Sequence, residues 1–317
     1  MIRYTDILLF IKFRKELNIF SWEFGVESSD WRVVRIMRFD YLTLTFDSGY
    51  ETQPLRTPNY KLTTYMTTQE ALFNYCLRLS DNSLILSQRL SEWTSHGPFL
   101  EEDLALTNIA LDMLGQSKSL LEYAGKIEGK GRSEDDLAYL RNEREFYNTL
   151  LVEQPNGDYA KTIVRQFLMD AFDLYFYQEL TKSKDSTLAA IATKSVKEIT
   201  YHLRHSSSWV ERFGDGTEES HQRAQDALNE LWRYTGELFE MNEVDTLLIK
   251  EGIAVDLNSI QAKWEKTVRE VIERSTLKLP EQNFMQSGSR RAIHTEHLGF
   301  ILAEMQSLAR AHPNAKW

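Results

Sequence analysis

From Met66 onward, apolar residues recur at three- and four-residue spacing, and the polar positions between them mark helix starts and stops. Thr67 followed by Glu70 fits a capping box for a first helix, predicted over about Gln69 to Trp93. Ser95-His96-Gly97-Pro98 turns the chain into a central helix from about Glu101 to Gly125, whose first turn carries Glu101, Glu102 and Asp103 against the dipole. This helix is apolar on nearly every side (Leu104, Leu106, Ile109, Ala110, Leu111, Met113, Leu114, Leu120, Leu121), so it is expected to be wrapped by other helices. Ser133 with Asp136 caps a third helix expected to reach Leu151, and Asp158 caps a fourth to about Thr181, interrupted by Asp170 and Asp173. Further helices are predicted from about Thr187 to Phe213, Glu218 to Glu240, Asp256 to Leu277 and Glu296 to Ala311, with Pro280 to Arg291 as loop. The long ones run roughly 25 residues, about 38 Å, and short loops join them, which argues an all-α antiparallel bundle with additional C-terminal helices.

Residues 1–65 read differently. They hold Pro54 and Pro58, and Asp40 to Phe46 has the look of a short extended piece. Either they form an N-terminal extension packed on the bundle, or translation starts naturally at Met66 and they are an over-called upstream segment. The second is the expectation, with the helical domain at 66–317.

Composition narrows the function. The 317 residues carry a net charge of −10, which disfavours non-specific binding to DNA or anionic membranes. The single cysteine, Cys76, excludes an intramolecular disulfide and a cysteine metal cage, and it reads as a buried apolar residue. Ile7 to Ile11 is too short to span a bilayer and has no convincing cleavage site, so the default compartment is the cytoplasm.

Candidate chemistry centres on polar residues inside helices. A di-iron bundle site needs four carboxylates and two histidines, arranged in part as Glu-x-x-His on paired helices. In the central helix the matching spacing reads Asp112-x-x-Gly115, and glycine cannot hold a metal. The helix from Thr187 offers Glu198, His202, His205 and Trp209 as one stripe, yet position 199, where the carboxylate of a Glu-x-x-His would stand, is isoleucine. Asp112, Glu198, His202 and His205 are therefore candidates for a vestigial centre, or for an active one with unusual ligands; a self-satisfied buried Glu–His pair is the plainer reading. Glu218-x-x-His221 is the one literal Glu-x-x-His, and its place after a Gly-Asp-Gly turn suits a solvated helix start. His294-Thr295-Glu296-His297, with Glu304 and His312 downstream, suits a helix start or a contact with a partner chain. There is no Walker loop and no GxGxxG, and no nucleophilic triad has a local signature.

Four separated stretches resemble one known family. Leu79 to Trp93, Asp103 to Gln116, Leu151-Val152-Glu153-Gln154-Pro155-Asn156-Gly157, and His294 to Gly299 with Ala303-Glu304-Met305-Gln306 are similar to the C subunits of phenylacetyl-CoA epoxidase complexes. The resemblance covers about Met66 to Trp317. It implies a ferritin-like bundle within a bacterial multicomponent monooxygenase, partnered by a related A subunit, a further small subunit and a reductase. The A subunit is the one implied to hold di-iron and to put oxygen into the ring of phenylacetyl-CoA. The C subunit is implied to lack a metal and to support it. Asp112 with Gly115, and Ile199 with His202, fall where the A subunit has its two Glu-x-x-His pairs. An unusual di-iron oxygenase and a stand-alone helical binding module remain as the other readings.

Overall fold

The computed structural model describes residues 66–281, 284–312 and 315. The extended piece at Asp40 to Phe46 and the expectations for residues 1–65 lie outside the described residues. Among the described residues every regular element is helical.

Two antiparallel hairpins make the core. In the first, α1 (Thr68–Ser91) pairs with α2 (Leu100–Glu128). The predicted capping box starts α1: the Glu70 amide donates to Thr67 Oγ1 at 3.2 Å, and the Thr67 amide donates to Glu70 Oε2 at 2.8 Å. Ser80 and Ser117 hydroxyls meet at 2.8 Å between the helices, so small residues let the backbones approach closely. Gly129, at φ 69°, stops α2 in the left-handed conformation that a side chain resists. After α2 come the short α3 (Glu134–Tyr139), a 3-10 turn at Glu143–Glu145 and the single turn α4 (Leu150–Glu153). The second hairpin joins α5 (Tyr159–Leu180) to α6 (Ser186–Gly214), with Asp158 and Asp185 as N-caps. α2 lies antiparallel against α6: Tyr123 donates to Asp185, Asp112 pairs with His202, and Trp209 donates to Glu102, in reverse chain order.

Later elements cover the outside. α7 (Glu218–Leu231) and α9 (Asn258–Arg274) pack on the α5–α6 hairpin, while α8 (Glu243–Glu251) and α10 (Glu296–Met305) pack on α1. α11 (Ser307–Ala311) follows α10. At Gly214 the end of α6 meets the Ser275 carbonyl so closely that an added Cβ would fall 1.8 Å from its oxygen, so no side chain fits there.

Several expectations need correction. The helix expected from Ser133 to Leu151 ends at Tyr139, because the backbone beyond it bonds to α1 instead of to itself. The Tyr147 amide donates to Asp81 and the Thr149 amide to Asn82. The helix expected to reach Glu240 stops at Leu231 and continues as two 3-10 turns, Trp232–Tyr234 and Gly236–Phe239. α8 is additional to the expected helices, although Asn242 and Asp245 form its capping box and Gly252 ends it. α9 opens with the Asn258 amide donating to Asp256 Oδ1 at 3.1 Å but ends at Arg274, short of Leu277, and the last helix breaks at Gln306, whose side chain turns to the Ala138 and Arg141 carbonyls.

The largest correction concerns α2, which the other described residues do not wrap on every side. Leu106, Ile109, Met113, Leu120 and Leu121 are buried, but Leu100, Leu104, Leu111 and Leu114 are 72%, 54%, 59% and 40% exposed. With Thr107 and Lys118 they form a stripe at alternating four- and three-residue spacing, the spacing of a helix–helix seam.

Candidate functional site at the α2–α6 seam

Asp112 and His202 close on each other. His202 Nε2 lies 3.1 Å from Asp112 Oδ2, with the imidazole 2% and the carboxylate 39% exposed. Burial pulls the His202 pKa down against the opposing pull of Asp112, and its Nδ1 has no partner. The ring is therefore a neutral donor to Asp112 at neutral pH. Glu198 stands near the pair without bonding to His202; it meets Lys194 at 3.5 Å. Burial pushes the Glu198 carboxyl upward, with Asp112 adding to the rise and Lys194 opposing it.

His205 does not join this group. Its Nε2 lies 2.8 Å from Glu102 Oε2, and the same oxygen accepts from Tyr159 Oη at 2.7 Å and Trp209 Nε1 at 2.8 Å. Tyr201, exposed on α6, stacks on the His205 ring at a centroid distance of 6.3 Å. The single stripe read from Glu198 to Trp209 is thus two separate stations on α2. Glu102 was legible only as a first-turn carboxylate, because its partners come from α5 and α6.

Beneath the seam lie two carboxylates from α5. Asp170 is fully buried, accepting from Gln166 Nε2 and from Ser206 Oγ, each at 2.7 Å. Burial pushes its pKa up to about 7, so the acid form holds much of the population at neutral pH. Asp173, one turn on, is pushed well above the ordinary range by desolvation and then by Asp170.

These residues do not fit a di-iron centre. Among the described residues no three histidine, cysteine, aspartate or glutamate side chains gather as a metal-holding group. Of the four candidates only Asp112 and His202 meet. A Cβ added at Gly115 would touch nothing within 4 Å, so that position has room for a side chain and simply lacks one.

A family model described as Phenylacetic acid catabolic protein matches residues 59–317. The chain belongs to the phenylacetic acid catabolic protein family. It is 51% identical over 243 residues to the C subunit of 1,2-phenylacetyl-CoA epoxidase from Escherichia coli (strain K12), a match covering 77% of this chain and 98% of that protein. The bundle is accordingly the ferritin-like one of the phenylacetic acid catabolic proteins. Among its described residues no helix is long and apolar enough to cross a membrane.

The other sequence candidates of this phenylacetic acid catabolic protein stay apart. His221 Nδ1 meets the Gly214 carbonyl at 2.9 Å, so it caps the end of α6 rather than pairing with Glu218. Cys76 is buried, and burial pushes its thiol pKa up, which leaves it unreactive. In the C-terminal cluster Glu296, Glu304 and His312 are exposed, while His294 turns inward to Glu153 at 3.0 Å.

Proposed function

We propose that this chain is a non-catalytic structural subunit of a multicomponent monooxygenase that epoxidises the ring of phenylacetyl-CoA in phenylacetate degradation. Its role is to brace a related ferritin-like subunit, and the di-iron chemistry belongs to that partner. The observation that carries this reading is the exposed stripe of Leu100, Leu104, Leu111 and Leu114. A seam at this spacing fits another helix, and the family's second ferritin-like subunit supplies one of matching kind. An obligate interface built around it would bury on the order of 2,000 Å² or more. Asp112 and His202 support the reading from the other side, since they pair with each other and no third ligand joins them among the described residues.

The test is co-expression with the neighbouring subunits, followed by complex mass and iron per chain. A stable assembly whose iron all resides in the partner is expected. Two irons bound by this chain alone would overturn the proposal, as would full activity of the catalytic subunit without it.

A further inference from the structure

The His294-Thr295-Glu296-His297 motif has no place in the function proposed above. Its first residue turns inward, and the side chains of both His294 and Glu153 are completely buried. Each ring nitrogen of His294 faces an acceptor. Nδ1 lies 3.0 Å from Glu153 Oε2, and Nε2 lies 2.9 Å from the Phe146 carbonyl oxygen. A neutral imidazole has one N–H, so it would set a lone pair against one of these oxygens. Both contacts are hydrogen bonds only if both nitrogens carry protons.

Glu153 is arranged to balance that charge. Its Oε2 also accepts from Asn148 Nδ2 at 3.0 Å, and its Oε1 accepts from the amide and hydroxyl of Thr295 at 2.6 and 2.7 Å. Counting His294, four donors face the two oxygens of this carboxylate. Glu153 also anchors Thr295, the residue that precedes α10 and makes no side-chain cap of its own.

We propose that a proton fastens the C-terminal arm to the bundle. His294 is kept as an imidazolium between α4 and the Phe146 carbonyl, and losing that proton unfastens the start of α10. Of the other charged groups around it, Asp81 favours the cation. Asp81 on α1 acts on His294 while paired with Arg141, and Tyr234, in the turn after α7, feels the Glu153 charge. Glu237, in the turn Gly236–Phe239, holds the neighbouring Gly288 and Ser289 amides. Arg89 of α1 donates to the Glu153 carbonyl, and Glu296 and His297 follow on α10 toward solvent. Burial pulls the His294 pKa down, but the hydrogen bond and charge of Glu153, the Phe146 carbonyl and Asp81 outweigh it and leave it raised. A raised histidine stabilises fully below its ordinary pKa of about 6.5, and the contribution fades as pH climbs through the native value. The arm therefore loosens on the alkaline side.

Full-length protein with ¹⁵N-histidine tests this directly. At pH 7, both His294 ring nitrogens are expected at imidazolium positions. Hydrogen exchange, corrected for intrinsic rates, should show residues 293–298 losing about tenfold protection between pH 6.5 and 9, with α1 unchanged. His294→Gln should give low protection at both pH values. Glu153→Gln should move the loss to lower pH, and it keeps the test alive if the first variant does not fold. His297→Gln, outside the network, should leave the profile as in wild type. A neutral single tautomer at pH 6.5 to 7 would overturn the proposal, and so would protection that does not change with pH.

Discussion

The α2–α6 seam and the α1–α4–α10 junction are both built from buried polar side chains, and they treat those groups in opposite ways. At the junction the carboxylates are saturated. Glu237 accepts from the Leu150, Gly288 and Ser289 amides, Glu153 accepts four donors, and Asp81 takes Arg141 together with the Tyr147 amide. At the seam the groups are only partly met: His202 and His205 each leave Nδ1 without a partner, and Asp112 stays open to solvent beside an uncovered apolar stripe. Carboxylates met this fully hold a chain together, although Asn148 Oδ1, Ser289 Oγ and Arg89 Nε at the same junction have no partner. In the bracing role proposed above, the half-satisfied seam under exposed leucines is where the related subunit would dock.

Breaking the junction should cost most. Glu237→Leu strands three buried amides, at about 1–3 kcal/mol each, so thermal unfolding should report a loss on the order of 4 kcal/mol. A loss under 1 kcal/mol would mean that the junction is not the main fastening of the C-terminal segment.

Next comes Asp170, below the seam. Its pKa rises to about 7 in the folded protein, so its stabilising contribution is full below its unfolded value near 3.9 and declines as pH rises through about 7. Asp170→Asn should therefore gain on wild type by roughly 2 to 3 kcal/mol between pH 5 and pH 8, read from urea unfolding at each pH. A difference that stays flat with pH would place the charge of Asp170 elsewhere.

The stripe itself should separate folding from assembly. Leu104→Asp with Leu111→Asp should leave the stability of the isolated chain within about 0.5 kcal/mol, because both side chains are exposed. The same pair should weaken binding to the related subunit at least tenfold, as loss of about 2 kcal/mol at an interface centre requires. Unchanged affinity by titration would move the interface off α2. The smallest effect belongs to His202→Leu. Asp112 can turn to water and the ring already lacks one partner, so calorimetry should register under about 1.5 kcal/mol.

The same contrast explains what could be read from the chain. Local signals were legible: Thr67 with Glu70, Ser133 with Asp136, Asp158 and the run from Ser186 to Gly214 all behave as their spacing predicts. The stretch between Tyr139 and Leu150 was not legible, because its amides are claimed by Asp81 and Asn82, more than sixty residues away in sequence. Glu102 looked like a dipole-balancing residue, since the three donors it gathers lie on other helices. α2 is the instructive case. A helix that is apolar all round must be covered, but periodicity cannot say whether its own chain or another supplies the cover.

The stripe on α2 also bears on how the protein can be produced. Exposed leucines in register along one helix invite self-association of any copies made in excess. In the bracing role proposed above, the soluble yield of this chain should therefore follow the supply of the related subunit, which makes matched synthesis of the two a condition for keeping this chain in solution.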